Sequence, residues 1–109
     1  MDVRDYQQRS RRTATYPDAG ANIVYPTLGL AGEAGEVAEK VKKLIRDDAG
    51  VLSDARRAAL AGELGDVLWY VAQVATEAGL DLGDVAQANL DKLASRAERG
   101  VLSGSGDDR

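Results

Sequence analysis

The chain has 109 residues, of which 14 are basic and 18 acidic, so its formal net charge at pH 7 is −4. This balance argues against nonspecific binding to nucleic acid or to an anionic membrane surface. Cysteine and histidine are both absent, which excludes disulfides, zinc sites built from thiolate or imidazole, and histidine-dependent nucleophiles.

A chain of this length predicts a single domain, residues 1–109. It contains no apolar run of the roughly 18 residues that a membrane helix requires, and no signal-peptide pattern opens it. We therefore expect a soluble, cytoplasmic protein.

The first quarter of the chain predicts a polar helix followed by a loop. Residues 2–13 have few apolar positions, so a helix there needs a partner surface. Residues 14–26 contain both prolines and predict a connecting loop. Tyr16 and Tyr25 flank this loop, and we expect them to anchor it to the core rather than to stack on a ligand.

Two helices are predicted next, over residues 27–47 and 54–78, and they carry the same phrase. Residues 30–37 read L-A-G-E-A-G-E-V and residues 60–67 read L-A-G-E-L-G-D-V, with six of the eight positions identical. Thr27 is the expected N-cap of the first of these helices, and Ser53 that of the second. Gly50 is the expected stop between them.

Each copy of the phrase places two carboxylates three residues apart. On a helix such residues are neighbours on one face, with roughly 5–6 Å between their Cβ atoms. A helical wheel puts both pairs at the edge of an apolar stripe, so helices packed by their stripes bring the pairs together along a shared rim. The pattern predicts a metal site of four carboxylates, formed by Glu33, Glu36, Glu63 and Asp66.

An all-carboxylate site selects a hard cation. Oxygen ligands without histidine or cysteine favour Mg²⁺, with Mn²⁺ as a substitute, over zinc, copper or redox iron. Four crowded acids repel one another without a metal, so activity is expected to depend on one.

The repeated phrase also contains glycines inside its helices, at positions 32, 35, 62 and 65. Each costs about 0.5–1 kcal/mol relative to alanine. Two explanations stay open, namely a close approach of the helices and a ligand that needs room against the backbone.

Three other side chains of these helices are candidates for function. Lys40 shares the face of the acids and can meet a phosphate or a glutamate. Tyr70 follows Asp66 by four residues on the same face. Trp69 points away from its own helix's stripe, which predicts a contact between subunits.

The last helix is predicted over residues 82–99, between Gly79 as a stop and a flexible tail, residues 100–109. Asp81 is its expected N-cap. Asn89, Lys92 and Arg96 share one of its faces and provide a neutral donor and two cations where an anion can bind.

The E-x-x-E and E-x-x-D pairs, separated by 26 residues between Glu36 and Glu63, resemble those of MazG-type nucleoside triphosphate pyrophosphohydrolases, an all-α superfamily. The resemblance runs from about Tyr6 to Arg109. It implies an all-α, four-helix MazG-like bundle completed by homo-oligomerisation, as a homodimer or homotetramer whose active sites are roofed by the partner chain.

The resemblance also implies an activity, Mg²⁺-dependent hydrolysis of ribo- or deoxyribonucleoside triphosphates to monophosphate and pyrophosphate, in the manner of enzymes that clean the nucleotide pool. The four acids would hold the metal, and one of them would accept the proton of the attacking water. The resemblance assigns substrate contacts to five residues, which are Gln8 at the base, Tyr70, and the phosphate-side group Asn89, Lys92 and Arg96. Lys40 is a sixth candidate because it shares the face of the acids.

Two alternatives remain at this level. The chain can be a non-catalytic helical protein, structural or regulatory, that binds metal or nucleotide. It can also be a superfamily enzyme acting on phosphoribosyl-ATP, although the L-A-G-E phrasing is closer to MazG. The sequence leaves base preference, sugar preference and the number of metals open.

Overall fold

The computed structural model describes residues 1–101, 104 and 106. Within that part of the chain the architecture is all-helical and without strands, which confirms the predicted fold class. None of its helices combines the length and apolar character that crossing a membrane requires. The helices are α1 (Val3–Ser10), extended by a 3-10 turn (Arg11–Thr13), α2 (Val24–Asp47), α3 (Asp54–Glu77) and α4 (Leu82–Glu98).

Local sequence signals set most of the helix ends. The side chains of Ser53 and Asp81 accept hydrogen bonds from the backbone N–H three residues on, so both predicted N-caps are confirmed. Gly50 and Gly79 follow α2 and α3 with φ angles of +79° and +71°. Glycine reaches this left-handed region without a steric penalty, so Gly79 ends α3 directly after its C-cap. After α2 the left-handed turn begins one residue before Gly50, at Ala49 with a φ angle of +52°.

The predicted start of α2 at Thr27 is wrong. The helix begins at Val24, and Pro26 lies inside its first turn, where a missing N–H costs nothing. The side chain of Asn22 accepts a hydrogen bond from the Tyr25 N–H at 3.0 Å and does the capping. The Thr27 hydroxyl instead donates to the Ile23 carbonyl.

Helices α2 and α3 form the long part of the molecule. Each has 24 residues, about 36 Å at 1.5 Å per residue. The short turn between them returns the chain antiparallel, and the two helices pack along each other more extensively than any other pair. The repeated phrases therefore face each other across this hairpin.

Helix α1 packs across the second half of α3 and joins it to α4. The amide of Gln7 donates to the Thr76 hydroxyl and the Leu80 carbonyl, and its oxygen accepts from the Leu82 N–H. Arg4 pairs with Asp81 and Asp84 at the start of α4. These bonds give a polar helix the partner surface that its sequence requires.

A buried carboxylate fastens the loop between α1 and α2. The side chain of Glu77 is 1 % exposed. It accepts hydrogen bonds from the N–H groups of Gly20 and Asn22 and pairs with Arg11 at 3.6 Å. Arg11 also donates to the Tyr16 hydroxyl at 2.7 Å. The loop is thereby tied to the C-terminal end of α3.

The two tyrosines that flank the loop behave differently. Tyr16 is buried, which confirms it as an anchor. Tyr25 stacks on Tyr16 with ring centroids 5.0 Å apart, but it is 45 % exposed. This stacking contact attaches the loop to the first turn of α2, where Tyr25 lies.

The interior is small for the length of the chain. Its centre is formed by Ala72, Ala75 and Leu82, against which Tyr6 and Val71 pack. Large apolar side chains remain exposed on the outer faces, for example Leu28 at 68 % and Ile45 at 71 %. Much of the apolar surface of the described chain is therefore exposed to solvent.

The predicted flexible tail falls largely on residues 102, 103, 105 and 107–109, which lie outside the described part of the chain.

Candidate metal centre

Three of the four predicted metal ligands come together between α2 and α3. Glu33 from α2 and Glu63 and Asp66 from α3 each place a carboxylate oxygen within 4.8 Å of the others. Glu33 and Glu63 are half-buried and Asp66 is exposed. Because α2 and α3 are antiparallel, the two phrases meet at their acidic positions.

Glu36, the fourth predicted ligand, lies at the margin of this group. It is exposed, and it is not among the three residues whose oxygens converge. Its charge nevertheless contributes to the raised pKa of Glu33. Glu36 therefore stands close enough to act on the site electrostatically.

The negative charges of these acids repel one another. The pKa of Glu33 is raised, first by burial and then by a hydrogen bond with Glu63 and the charges of Asp66, Glu63 and Glu36. A divalent cation would replace this repulsion with attraction and suit the all-oxygen donor set.

Lys40 supplies a partial counter-charge. Its ammonium lies 3.8 Å from a Glu63 carboxylate oxygen, and both side chains are partly shielded from water. Of the two roles the sequence allows, the structure shows the contact with a glutamate. One cation against several acids leaves the site negative overall.

Tyr70 lies beside the acids as predicted from its spacing. Its pKa is raised by burial, and further by Tyr25 and by the charges of Glu33 and Asp66. The ring packs directly on Gly29 of α2, where an added Cβ would overlap its atoms. Gly29 is therefore the glycine that allows α2 and α3 to approach.

Sequence reasoning missed Gly29, although a signal was present. It precedes Glu33 by one turn, just as Tyr70 follows Asp66 by one turn, so an antiparallel pair of helices aligns them. The glycines chosen instead, at positions 32, 35, 62 and 65, would each tolerate a Cβ with nothing within 4 Å. Close helix approach within one chain does not explain them.

Trp69 does not point outward from its own chain, as its place on α3 had predicted, whereas its contact with another subunit stays a prediction. Its indole N–H donates to the Ser10 carbonyl at 3.2 Å and to the Thr13 hydroxyl at 2.9 Å. The ring also contacts Tyr70 edge-on, with centroids 5.0 Å apart. The end of α1 covers this face of α3, so the tryptophan packs within its own chain.

The remaining predicted substrate residues lie on other helices. Gln8 is exposed on α1, whereas its neighbour Gln7 is used for packing. Asn89 and Lys92 are exposed on α4 and Arg96 is 3 % exposed. Because α4 packs on α1 and α3, not along α2, their role at the acids stays a prediction.

Comparisons with known proteins give the family of the chain. The family model of the MazG nucleotide pyrophosphohydrolase domain matches residues 26–101, which include both acid pairs. The chain is also similar to the Gene 37 protein of Mycobacterium phage L5, with 51 % identity over 114 aligned positions that cover 100 % of both chains. No solved structure matches.

Proposed function

We propose that this chain, which belongs to the MazG nucleotide pyrophosphohydrolase family, hydrolyses nucleoside triphosphates to the monophosphate and pyrophosphate. The observation that carries the proposal is the convergence of Glu33, Glu63 and Asp66 within 4.8 Å. Perturbed carboxylates gathered in this way, with Lys40 as a partial counter-charge, are typical of functional sites.

The residues at this position fit Mg²⁺. Glu33, Glu63 and Asp66 would hold it, with Glu36 completing the set, and Mn²⁺ would substitute because it prefers the same ligands. When bound, the ion supplies Lewis acidity and neutralises charge on the triphosphate. Since the chain has no histidine, a carboxylate oxygen of one of these acids accepts the proton of the attacking water.

Lys40 and Tyr70 are the substrate-side residues within reach of the acids. Lys40 is already paired with Glu63, so it can move to a phosphate oxygen when metal takes over that carboxylate. Tyr70 presents a hydroxyl beside Glu33 and Asp66 and can donate a hydrogen bond to an anionic oxygen. Both residues would act on the phosphate chain.

The site is completed by a second copy of the chain in this proposal, as a homodimer or homotetramer. The radius of gyration is 16.7 Å, whereas a compact chain of this length has about 13 Å. Exposed leucines and isoleucines line the outer face of α2 and α4. A partner covering them would bring its own α4 to the site, with the amide and cations of Asn89, Lys92 and Arg96.

Release of pyrophosphate tests the reaction class. The purified protein would be incubated with the eight common ribo- and deoxyribonucleoside triphosphates in Mg²⁺, in Mn²⁺ and in EDTA. We expect metal-dependent release from at least one of them, and the order of rates would give the base and sugar preference.

The double variant Glu63→Gln, Asp66→Asn is the matched control for that assay. An enzyme loses Mg²⁺ binding and turnover together in this variant, while its fold is retained. If the folded wild-type protein binds Mg²⁺ but releases no pyrophosphate from any of the eight nucleotides, it is not a hydrolase of common nucleotides. A hydrolase of a modified nucleotide or a non-catalytic binding protein would then be the better description.

A further inference from the structure

Tyr70 belongs to a continuous series of aromatic rings that runs from the loop after α1 to the carboxylate group. The chain has four tyrosines, one tryptophan and no phenylalanine, and the series contains all of these rings except that of Tyr6. Tyr25 stacks on Tyr16 with centroids 5.0 Å apart. Tyr16 meets Trp69 edge-on at 6.5 Å, and Trp69 meets Tyr70 edge-on at 5.0 Å. These distances lie in the favourable range for aromatic pairs, about 4.5–7 Å.

Tyr70 is confined by contacts of its ring. The ring packs on Gly29 of α2, where an added Cβ would overlap it, and it meets the Trp69 ring edge-on. The charges of Glu33 and Asp66 are among the causes that raise the pKa of Tyr70, so its phenol lies near those carboxylates. The place of the hydroxyl beside the acids therefore depends on the groups that hold the ring.

The Trp69 indole is held in turn by the end of α1. Its N–H donates to the Ser10 carbonyl at 3.2 Å and to the Thr13 hydroxyl at 2.9 Å. It also packs against Tyr16, which is 7 % exposed and whose hydroxyl accepts a hydrogen bond from Arg11 at 2.7 Å. These contacts fix the orientation of the indole before any ligand binds. Helix α1, which contributes none of the three converging acids, is thereby connected to Tyr70.

We propose that Trp69 is a positioning residue, which holds the Tyr70 hydroxyl beside the carboxylate group and makes its place depend on the end of α1. The inference rests on the proposed function, because Tyr70 is the residue through which Trp69 acts on the phosphate chain. A misplacement of about 1 Å can cost an enzyme about 100-fold in rate. Trp69 itself needs no contact with the substrate for this role.

A double-mutant cycle with Tyr70 tests whether Trp69 acts through it. Trp69→Leu should lower kcat/KM for the best triphosphate about tenfold or more, because Tyr70 loses the ring that holds it. In the Tyr70→Phe background, where the hydroxyl is already gone, the same substitution should cost less than about twofold. Trp69→Phe keeps an aromatic edge and should retain more activity than Trp69→Leu. Equal fold losses in the two backgrounds would show that Trp69 acts independently of Tyr70, and they would overturn the proposal.

A second measurement reads the position of Tyr70 without turnover. The protein would be labelled with 3-fluorotyrosine, so that its four tyrosines give four fluorine NMR resonances, and Tyr70→Phe would identify the resonance of Tyr70. Thr13→Val removes one hydrogen-bond acceptor of the indole at an exposed position and alters no ring of the series. We expect this variant to move the Tyr70 resonance toward its position in the unfolded protein.

Thr27→Val is the matched control, since it removes a hydrogen-bonded hydroxyl from an exposed position at the start of α2. It should leave the Tyr70 resonance in place. An unmoved Tyr70 resonance in folded Thr13→Val would overturn the proposal. If the wild-type protein releases no pyrophosphate, the proposed hydrolase fails, whereas the Tyr70 resonance still decides the role of Trp69. Turnover with an unmoved resonance would refute only the positioning role.

Discussion

Helix α3 carries acids in two opposite environments. Near its middle, Glu63 and Asp66 face Glu33 from α2, and the pKa of Glu33 is raised by burial and by its acidic neighbours. Eleven residues after Asp66, burial also acts to raise the pKa of Glu77, but hydrogen bonds from Gly20 and Asn22 and the charge of Arg11 outweigh it and lower the pKa. The negative charge of Glu77 is compensated within the chain, whereas the charges of Glu33, Glu63 and Asp66 are compensated only in part, by Lys40.

This difference distinguishes Glu77, a carboxylate that stabilises the fold, from the carboxylates near Glu33, which are available to bind a ligand. Glu77 has its donors and its cation within the chain, so it stabilises the loop without help. The acids at Glu33 have Lys40 as a counter-charge and remain in excess. Replacing a carboxylate by an amide should therefore have opposite effects on stability at the two places.

The largest effect is expected for Glu63→Gln, Asp66→Asn. Loss of groups that only support metal ligands typically costs 10–100-fold in activity, so removing two proposed ligands should lower turnover by more than about 100-fold. The midpoint of thermal unfolding in EDTA should stay level or rise, because like charges are removed. Pyrophosphate release and thermal melts of the same samples measure both.

Asp91→Asn is the control for that variant, since Asp91 is exposed on α4 and bonds only locally to Gln87. It should match the wild type in both measurements. Full Mg²⁺-dependent turnover by the double variant would show that these acids are not the metal site.

The next effect is expected for Glu77→Gln. The amide leaves the charge of Arg11 unpaired and places an NH₂ group among N–H donors, so the loop loses its attachment to α3. We expect the melting midpoint to fall by about 5 °C or more. Glu98→Gln, at the exposed end of α4, should melt like the wild type. Equal melting of the Glu77 variant would mean that the loop is held by Tyr16 alone.

The Glu77 contribution should also depend on pH. Its pKa in the folded chain lies below the ordinary value of 4.5, so the stabilisation is present above about pH 4.5 and is lost as pH falls through the lowered pKa. The difference in melting midpoint between wild type and Glu77→Gln should be constant near neutrality and shrink in acid. A difference that grows in acid would reverse the assigned sign.

The sequence was sufficient for features that depend on neighbouring residues. Four helices were predicted within three residues of their observed ends. Apolar periodicity gave the last three, because each of them carries a stripe set by its own residues, and α1 was predicted as a polar helix. The helix ends also depend on single residues. The side chains of Ser53 and Asp81 cap the starts of α3 and α4, and Gly50 and Gly79 adopt the left-handed conformation after α2 and α3. The repeated phrase likewise located four acids, of which three converge, since its two copies lie at matching positions of antiparallel helices.

What the sequence did not reveal depends on partners far along the chain. Glu77 reads as an ordinary helical charge, and its partners are backbone N–H groups of Gly20 and Asn22 that have no side-chain signature. Trp69 was judged against the stripe of α3 alone. The indole is covered by the polar end of α1, where the Ser10 carbonyl and the Thr13 hydroxyl accept its hydrogen bonds. A hydropathy pattern does not predict such a polar contact.

Gly29→Ala tests the closest approach of the two long helices. The new methyl group would overlap the Tyr70 ring, and overpacking of this kind typically costs about 1–3 kcal/mol. We expect a lower free energy of unfolding and reduced turnover, because the Tyr70 ring would be displaced from its position beside the acids. Tyr70→Leu combined with Gly29→Ala should recover stability without recovering turnover. A stable, fully active single variant would show that the ring moves aside freely.

The smallest effect is expected for Gly62→Ala, and it addresses the glycines that no contact explains. A Cβ at Gly62 meets nothing within 4 Å, so in one protomer alanine should raise the free energy of unfolding by about 0.5–1 kcal/mol. Glycine at position 62 lowers the stability of α3 relative to alanine, and it lies next to Glu63, where a ligand or a partner chain would approach. We therefore expect the variant to gain stability in EDTA and to lose Mg²⁺-dependent turnover. Gain of stability with full turnover would mean that neither the ligand nor a second protomer comes close to this backbone.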